Sequence, residues 1–402
     1  MDDARAAAAP RFKVLVLNQI AANGLKRLPA ERYEAGPDVD APDAILMRSA
    51  DLHAMQIPSS VLAVARAGAG TNNIPVAALS ARGVPVFNAP GGNANAVKEL
   101  VLAAMLLCAR NLAPALRFVA ALDPAAAGMH ARVEAGKKAF AGTELAGQTL
   151  GIVGLGKVGC LVADAAIKLG MKVYGHDPHI TVDSAWSLPA QVKKAASVAD
   201  VLRHADFVTL HVPLIDATRD LLHAENLALM RPGAVLLNFS RDAIVNQTAV
   251  LGALDAKRLS WYACDFPSPA LHAHPRVVAL PHLGASTAEA EENCAVMVVD
   301  QLRDCLEHGN VDNAVNFPAV SMGRESAYRI AIANANVPNM LGQISTAMAN
   351  AGLNIHNMVN KSRGEMAYTL VDVDSPVSPG VLGTLRAIDG VLSVRYLPNP
   401  PP

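Results

Sequence analysis

The chain has 402 residues, enough for two or three domains, because a single hydrophobic core rarely grows past about 250 to 300 residues. Its 34 Lys and Arg nearly balance its 35 Asp and Glu, which argues against nucleic acid or an anionic membrane as the main partner. The five cysteines are scattered and show no C-x-x-C spacing, so we predict no metal or redox site and interpret them as small core residues in a reducing compartment.

The beginning of the chain, MDDARAAAAPR, is acidic before it is apolar and does not have the pattern of a signal peptide. The longest apolar runs, such as 101–109, are well short of the roughly 20 residues that a membrane helix needs. These features predict a soluble cytoplasmic protein without a membrane partner.

Residues 12–110 alternate short apolar runs with amphipathic segments, which predicts a small α/β unit with a parallel sheet. Two of the expected strands end in polar or glycine-rich turns, at 47–50 and at 67–73, and ligands of open α/β sheets bind outside the carboxyl ends of strands. Arg48 with Ser49 therefore suits a phosphate or a carboxylate, although a solvated loop arginine fits the same pattern. The apolar run 93–110 predicts a long helix that begins at an asparagine cap and leads out of this unit.

The stretch 149–177 has the pattern of strand, glycine turn, helix and strand. Gly154, Gly156 and Gly159 form G-x-G-x-x-G directly after an apolar run, where the backbone can approach a pyrophosphate at a helix N-terminus. Asp177 follows about 20 residues later, at the tip of the second strand, where a carboxylate accepts a hydrogen bond from a ribose 2′-hydroxyl. No arginine follows Asp177, so the motif predicts NAD rather than NADP.

The strand and helix alternation continues through four more apolar runs, at 206–214, 233–241, 259–267 and 276–284. A long helix is then predicted over 287–308, with a capping box at 286–289 and a glycine at its end.

Two side chains that follow these strands are candidates for chemistry. Arg241 comes directly after a buried strand, where a guanidinium can hold an α-carboxylate in two hydrogen bonds and polarise the C2 oxygen. His282 follows another strand, and imidazole exchanges protons near neutral pH. The chain has 12 histidines, so position alone is weak evidence for His282.

Residues 318–324 resemble a linker, and the order strand, helix, strand, strand, helix, strand follows them. This order predicts a βαββαβ unit of about 70 residues that stands apart as a third domain.

Motifs spread over nearly the whole chain match one family. They are NAP (88–90), NANAVKEL (93–100), GLGKVG (154–159), Asp177, HVPL (211–214), LLNFSR (236–241), Asp265 and PHLGASTAEAEEN (281–293). On these residues the chain resembles the D-2-hydroxyacid dehydrogenase family, and within it the D-3-phosphoglycerate dehydrogenases that carry a C-terminal ACT domain.

The resemblance implies an α/β protein with a Rossmann NAD-binding domain at 97–284, inserted in a flavodoxin-like substrate-binding domain at 1–96 and 285–318. An ACT-like, ferredoxin-like, allosteric domain follows at 325–398. The implied activity is NAD-dependent oxidation of 3-phospho-D-glycerate to 3-phosphohydroxypyruvate, the first step of L-serine biosynthesis. A homodimer or homotetramer that responds to serine is also implied.

The resemblance also assigns roles to residues. Arg241 would anchor the substrate carboxylate, and His282 would take the C2 hydroxyl proton as hydride leaves C2. The positions that match cofactor-binding residues are Gly154, Gly156, Lys157, Val158, Gly159, Asp177, Val212, Phe239, Ser240, Asp265, Gly284 and Ala285. The positions that match substrate-binding residues are Arg48, Ser49, Gly70 and Asn73, and those that match effector-binding residues are Asn334, Asn336 and Asn354.

The catalytic segments depart from the family pattern at three positions. The family has a glutamate five residues after Asp265, which orients the catalytic histidine, and this chain has Ala270. We therefore expect His282 to be a less effective general acid for reduction, and the pH profile of the reaction to be displaced toward acid, unless Asp265 or another carboxylate substitutes. Asp242 replaces a glycine after the catalytic arginine, where it would compete for the guanidinium or point outward. Asn246 replaces an aspartate.

Another departure lies in the third domain, where Pro338-Asn339 replaces proline-glycine. The effector is therefore serine or another amino acid, or the domain serves only as an oligomer contact. Three functions remain open for the whole chain: the phosphoglycerate dehydrogenase; a dehydrogenase or reductase for another 2-hydroxy or 2-oxo acid, such as 2-oxoglutarate; and an NAD-binding regulator that has lost turnover. Arg48 separates the first two functions, since a phosphate site should need it.

Overall fold

A computed structural model describes residues 11–124 and 128–398, so the beginning of the chain discussed above lies almost wholly outside the described residues. The chain forms two compact units. Unit 1 comprises residues 11–92 and 291–398, and unit 2 comprises the described part of 93–290. All five cysteines are buried and free, as predicted.

The first part of unit 1 is a parallel five-stranded sheet. Its strands and helices are β1 (Phe12–Leu17), α1 (Ala22–Leu25), β2 (Tyr33–Gly36), β3 (Ala44–Met47), β4 (Ala63–Arg66), α2 (Val76–Ala81) and β5 (Val86–Phe87). The strand order β2-β1-β3-β4-β5 is that of flavodoxin-like folds, which confirms the predicted class. Strand β2 was missed because its sequence, YEAG, has little of the apolar alternation that marks a strand.

Unit 2 is a Rossmann fold. Its elements are α3 (Ala94–Ala109), α4 (Leu112–Ala120), α5 (Met129–Gly136), β6 (Thr149–Val153), α6 (Lys157–Lys168), β7 (Lys172–His176), α7 (Val182–Ser187), β8 (Lys193–Lys194), α8 (Val198–His204), β9 (Phe207–Leu210), α9 (Ala224–Ala228), β10 (Ala234–Asn238), α10 (Gln247–Asp255), β11 (Leu259–Cys264), α11 (Pro269–His272) and β12 (Val277–Ala279). The seven strands are parallel and ordered β12-β11-β10-β9-β6-β7-β8, so the order reverses at β6, where the glycine turn lies.

Within the described ranges, no single helix is both long and apolar enough to cross a membrane. Only α3 and α4 taken together pass that test, and they meet at a bend of 70°.

The rest of the chain forms a long helix and a second sheet. The elements are α12 (Ala288–His308), β13 (Tyr328–Ala335), α13 (Met340–Asn350), β14 (Ile355–Arg363), β15 (Met366–Val373), α14 (Pro379–Arg386) and β16 (Val391–Pro398). The four strands are antiparallel and ordered β14-β15-β13-β16, which is the predicted βαββαβ fold.

Two predicted helix starts are wrong in detail, whereas one predicted end is confirmed. Helix α3 follows Asn93, whose side chain makes no capping hydrogen bond. At the start of α12, Thr287 accepts a hydrogen bond from the Ala290 N–H at 3.1 Å, so the cap is Thr287 and not a box led by Ser286. Gly309 has the left-handed φ of +73° that the predicted helix end requires.

The predicted third domain does not stand apart. On β13, Ile330 and Ile332 face the core that α13 and α14 cover. Ala331 and Ala333 point to the opposite face and belong to the same core as Val14 of β1. Because both faces of this sheet are covered, the C-terminal domain is an integral part of unit 1. We predicted separate domains at 1–96 with 285–318 and at 325–398, and an inserted domain at 97–284.

Candidate active site

The glycine turn after β6 has one open side. Gly154 has φ +95°, and a Cβ there would lie 2.6 Å from the His211 carbonyl oxygen. A Cβ on Gly159 would overlap the Gly154 carbonyl oxygen. At Gly156, by contrast, the position of a Cβ has no protein atom within 4 Å. Two of the glycines are therefore required by the packing of the chain itself, and the third leaves room for a ligand to approach the backbone.

The N-terminus of α6 faces the same turn. The helix begins at Lys157 after Gly156, and no side chain caps it. The first-turn N–H groups of a helix have no partner within the helix, and together with the helix dipole they attract anions. The predicted pyrophosphate contacts, Lys157 and Val158, are the first two residues of this helix. The turn and the helix start thus fit a dinucleotide.

Asp177 lies beside the glycine turn. Its carboxylate accepts one hydrogen bond from the Leu155 N–H at 2.8 Å and one from the His179 N–H at 2.9 Å. These two bonds fix the carboxylate next to the turn. A carboxylate has about four acceptor sites, so it retains capacity for a ribose hydroxyl.

The other predicted cofactor positions follow neighbouring strands. The Ser240 hydroxyl donates to the Val212 carbonyl oxygen, and the Val212 side chain lies 2.9 Å from where a Cβ on Gly154 would be. Phe239, which precedes Ser240, is buried. The loops after β6, β9 and β10 are therefore in contact with one another.

The loops that carry the catalytic candidates leave the sheet at one edge. The last residues of β10, β11 and β12 are Asn238, Cys264 and Ala279, and they are paired across the sheet. Arg241 and His282 each come three residues after the end of a strand. Neighbouring strands are about 4.8 Å apart, so the two chains leave the sheet about 10 Å from each other, with β11 between them.

Arg241 is half-buried and has few partners. One of its guanidinium nitrogens donates to the Ser240 carbonyl oxygen at 2.6 Å. Within residues 11–124 and 128–398 it forms no ion pair with a carboxylate. Burial lowers the pKa of Arg241, but an arginine stays cationic at neutral pH. The site therefore holds a desolvated positive charge that an anion would neutralise.

Asp242 is turned away from this charge. Its carboxylate accepts a hydrogen bond from the Gln247 amide at 2.9 Å, and the Ser268 hydroxyl donates to the other end of that amide at 2.8 Å. Of the two predicted alternatives, this geometry matches the exposed, outward one. Asn246 also has a structural role, because its side chain caps α10 by accepting from the Ala249 N–H at 3.0 Å.

His282 stands on a turn that Asp265 fixes. Both oxygens of the buried Asp265 carboxylate accept backbone N–H groups, from Leu283 at 2.8 Å and from Gly284 at 2.7 Å. His282 has φ +59°, a conformation that costs free energy in a residue other than glycine and is held here by the surrounding bonds. Its exposed ring packs edge-on against Phe266, with centroids 5.4 Å apart. Sequence reasoning did not identify Phe266.

Asp265, named above as a possible substitute for the family glutamate, binds the Leu283 and Gly284 N–H groups of the turn and not the His282 ring. Ala270 is exposed on α11. In the described parts of the chain, His282 has no carboxylate partner. The imidazole is thus oriented by its turn and by Phe266 rather than by an acid.

Two of the predicted substrate positions in unit 1, Arg48 and Asn73, are joined by a hydrogen bond, and a third, Ser49, is held by Asn18. The Asn73 amide donates to the carbonyl oxygens of Arg48 at 3.2 Å and of Ala50 at 2.7 Å. The Ser49 N–H donates to the Asn18 side chain at 3.2 Å.

Two charged residues here were not predicted. Arg66, at the end of β4, donates to the carbonyl oxygens of Arg48 at 2.9 Å and of Gly70 at 2.5 Å, so it ties the fourth predicted position to the others. Glu291, on α12, forms an ion pair with Arg48 at 2.7 Å.

The three predicted effector residues do not meet within one chain. On β15, Ala367 pairs with Asn334 of β13, whereas Val373 pairs with Ile355, which follows Asn354. These two partners are six residues apart on β15, or about 20 Å at about 3.4 Å per residue. Asn336 lies at the Asn334 end, where its amide donates to the Gly364 carbonyl oxygen at 3.0 Å.

Comparisons with known proteins find relatives of this chain among NAD-dependent dehydrogenases. The sequence profile of the NAD-binding domain of D-isomer specific 2-hydroxyacid dehydrogenases matches residues 102–284. D-3-phosphoglycerate dehydrogenase of Escherichia coli K12 is 33% identical over 341 residues, which cover 82% of this chain and 79% of that protein. The Mycobacterium leprae protein of the same name is 31% identical and covers 90% of this chain and 68% of its own length.

Solved structures show the same fold. The TT0316 protein of Thermus thermophilus superimposes with a TM-score of 0.62 at 27% identity, covering 76% of this chain and all of that one. NAD-bound 3-phosphoglycerate dehydrogenase of Entamoeba histolytica gives a TM-score of 0.61 at 23% identity, covering 76% of this chain and 99% of its own. The chain belongs to the D-isomer specific 2-hydroxyacid dehydrogenase family and is an NAD-dependent dehydrogenase that acts on a small 2-hydroxy acid.

Proposed function

We propose that the protein oxidises 3-phospho-D-glycerate to 3-phosphohydroxypyruvate. The observation that carries the proposal is Arg241, a half-buried guanidinium at the edge of the NAD-binding sheet, which has no acidic partner among the residues that the structure describes. Such a group requires an anion, and the α-carboxylate of a 2-hydroxy acid supplies one in the right geometry for two parallel hydrogen bonds. The names of the relatives support phosphoglycerate as the particular acid.

The oxidation needs a base at the C2 hydroxyl and a hydride acceptor at C2. NAD, held at the glycine turn, supplies the hydride acceptor. His282 removes the hydroxyl proton, so that the electron pair of the O–H bond forms the carbonyl as hydride leaves C2. Arg241 holds the carboxylate and polarises the same oxygen. In reduction, His282 returns the proton.

The turn that bears His282 holds the imidazole in a fixed orientation before substrate binds. Asp265 binds two consecutive N–H groups after His282, and Phe266 contacts the ring from the side. A base that is already oriented loses less conformational entropy when substrate binds. This support replaces the orientation that an acidic residue at Ala270 would give.

Arg48 and Ser49 are our proposed contacts for the phosphate. Asn73 and Arg66 hold the backbone of Arg48 in place, so its side chain projects from a fixed base at the carboxyl end of β3. The proposal requires this end of the substrate to be anionic.

A panel of 2-hydroxy acids tests the function. We expect NADH formation with the highest kcat/KM for 3-phosphoglycerate, compared with D-glycerate, D-lactate and D-2-hydroxyglutarate. His282→Ala should lose on the order of 10³-fold or more in kcat/KM, as expected for a general base, while NAD binding is retained. A clear preference for another acid of the panel would replace the substrate. No turnover of any acid would favour a regulator that has lost activity.

We propose that the C-terminal domain is an ACT domain that binds serine between two copies of the chain. Strand β14 is an edge strand. Antiparallel pairing of two β14 strands would bring Asn354 of one copy next to the Asn336 end of the other, which a single chain cannot do. Titration with L-serine tests this: heat of binding and inhibition are expected, and neither should occur in Asn354→Ala.

Helix α4 supplies a second surface for self-association. Leu112, Leu116 and Val119 lie along one side of the helix and are exposed, Leu116 to 67% and Val119 to 57%. Two surfaces used together would give a homotetramer, and one alone a homodimer. Light scattering of Leu116→Glu should show a smaller oligomer than the native chain. An unchanged mass would remove α4 from the interface.

A further inference from the structure

The backbone at Arg48 is held by several hydrogen bonds, which fix the point from which its side chain extends. Its carbonyl oxygen accepts from Arg66 at 2.9 Å and from Asn73 at 3.2 Å. The next two N–H groups, of Ser49 and Ala50, both donate to the Asn18 side chain, at 3.2 and 2.5 Å. Four hydrogen bonds therefore fix three consecutive residues at the end of β3.

The guanidinium of Arg48 is occupied by an acid of the same unit. One of its nitrogens lies 2.7 Å from a carboxylate oxygen of Glu291, in the first turn of α12. The side chains are 32% and 41% exposed. An ion pair with this degree of exposure is readily exchanged for another partner, so Glu291 competes with a ligand for Arg48 without blocking it.

A buried thiol, that of Cys294, lies close to Arg48, Arg66 and Glu291. Cys294 lies one helical turn after Glu291, and burial raises the pKa of its thiol. The guanidinium groups of Arg48 and Arg66 oppose that rise, and the carboxylate of Glu291 adds to it. The three charged groups therefore lie near one buried thiol, and the 2.7 Å ion pair places the negative charge of Glu291 directly beside the Arg48 guanidinium.

We propose that Glu291 determines how strongly the enzyme prefers a phosphorylated substrate. The inference rests on the proposed function, which puts the distal group of the substrate at Arg48. A phosphate monoester carries a charge of about −1.5 to −2 at neutral pH, so on Arg48 it would lie next to the Glu291 carboxylate and be repelled. A neutral hydroxymethyl group meets no such repulsion and can accept a hydrogen bond from Arg48. Glu291 therefore reduces the ratio of kcat/KM for a phosphorylated 2-hydroxy acid to kcat/KM for its unphosphorylated counterpart.

The test compares kcat/KM for 3-phosphoglycerate and for D-glycerate in the native chain and three variants. In Glu291→Gln the ratio of the two values should rise by roughly tenfold, because the repulsion is removed while shape and hydrogen bonding are retained. Glu291→Asp keeps the charge and should keep the ratio near its native value. Glu292→Gln is the matched control: Glu292 is the next residue of α12, is exposed, and forms no ion pair in the described residues. It should leave the ratio unchanged.

A binding measurement separates this inference from the proposed function. Inorganic phosphate, titrated into the NADH-bound enzyme, should bind roughly tenfold more tightly to Glu291→Gln than to the native chain or to Glu292→Gln. That result would support the role of Glu291 even if 3-phosphoglycerate proved not to be the preferred substrate. Equal ratios and equal phosphate affinities in Glu291→Gln and Glu292→Gln would overturn the inference.

Discussion

Two arginines, one in each unit, are desolvated in opposite ways. Arg329, at the start of the C-terminal sheet, is fully buried and uses all five of its N–H groups. It binds both oxygens of Asp372, at 2.6 and 2.9 Å, and the carbonyl oxygens of His308, Met322 and Gly323 at 2.8 to 3.1 Å. Arg241, in the NAD-binding unit, donates to the Ser240 carbonyl oxygen and makes no other side-chain hydrogen bond to the described part of the chain.

The difference separates a charge that the fold itself neutralises from one that we propose a ligand neutralises. A buried charge is tolerated when the fold itself supplies its partners, and the partners of Arg329 tie the sheet to the end of α12 and to the linker. Arg241 is left with unused donors at a ligand-binding edge. In our account the substrate carboxylate completes those bonds, so the free energy of that pairing goes to binding and catalysis instead of folding.

The largest expected effect comes from replacing Arg241, the arginine that we propose binds the substrate. In Arg241→Ala, kcat/KM should fall by about 10³ to 10⁴-fold, which corresponds to about 4 to 5.5 kcal/mol, because the anchor of the carboxylate is lost. The urea midpoint should change little, since the fold loses a single hydrogen bond, the one to the Ser240 carbonyl oxygen. Arg241→Lys should recover only part of the activity, because an ammonium cannot form the two parallel bonds. A strongly destabilised but active Arg241→Ala would reverse the assignment.

Arg329 should show the opposite result. Arg329→Ala removes the charged donor of the Asp372 carboxylate, which keeps the Glu325 N–H at 3.1 Å, and takes the arginine N–H groups from three carbonyl oxygens. Breaking one partner of such a buried pair costs about 3 to 5 kcal/mol. The loss should appear in urea unfolding. The double variant Arg329→Met with Asp372→Leu removes both charges and should be more stable than Arg329→Ala. If Arg329→Ala unfolded like the native chain, the C-terminal sheet would not depend on this pair.

His211 is an intermediate case, a titratable group that is desolvated without a charged partner. Desolvation of its ring lowers its pKa to about 4, and its Nε2 lies 3.1 Å from the Thr209 hydroxyl. The folded state therefore favours the neutral imidazole, while the unfolded chain takes up a proton as pH falls below about 6.5. Stability is lost between about pH 6.5 and pH 4, by about 2 kcal/mol at pH 5.

The check on His211 is the difference in unfolding free energy between pH 7 and pH 5. In His211→Asn that difference should be smaller by about 2 kcal/mol than in the native chain, because the titrating group is gone. An equal pH dependence in both proteins would show that His211 does not titrate in this range.

The smallest expected effect concerns the partner that His282 lacks. A carboxylate introduced by Ala270→Glu would favour the protonated imidazole, so more hydroxide is needed to generate the base. The midpoint of the pH profile for oxidation should move up by about one pH unit, or about 1.4 kcal/mol. Ala270→Gln, which is uncharged, should leave the midpoint in place. Equal profiles for the two variants would show that residue 270 does not reach His282.

Sequence reasoning placed several candidate residues at the correct point of the fold, because their position depends on the local sequence pattern. The glycine turn, Asp177 and Arg241 each stand at a fixed offset from an apolar run, so periodicity alone places them at a strand end. The contacts it missed join residues far apart in sequence. Glu291 meets Arg48 across more than 200 positions, and no local rule relates them.

The strands and helices of the fold were also predicted from local pattern. One error, a C-terminal domain expected to stand apart, arises because the contacts that join it to the first sheet are distant in sequence. Alternation along β13 predicts a strand but does not say what covers its second face. That face packs into the core that contains Val14, more than 300 residues earlier in the chain. The C-terminal domain therefore looked independent in the sequence although it shares a core with the first sheet.

The central claim is that Arg241 and His282 act on the same bound substrate, and a double-mutant cycle on kcat/KM tests it most directly. We predict that Arg241→Lys together with His282→Asn loses little more than the worse of the two single variants, because each single change already disrupts the arrangement that both side chains need. Losses that multiply, so that the double variant equals the product of the single ones, would show that the two residues act independently and would contradict the account.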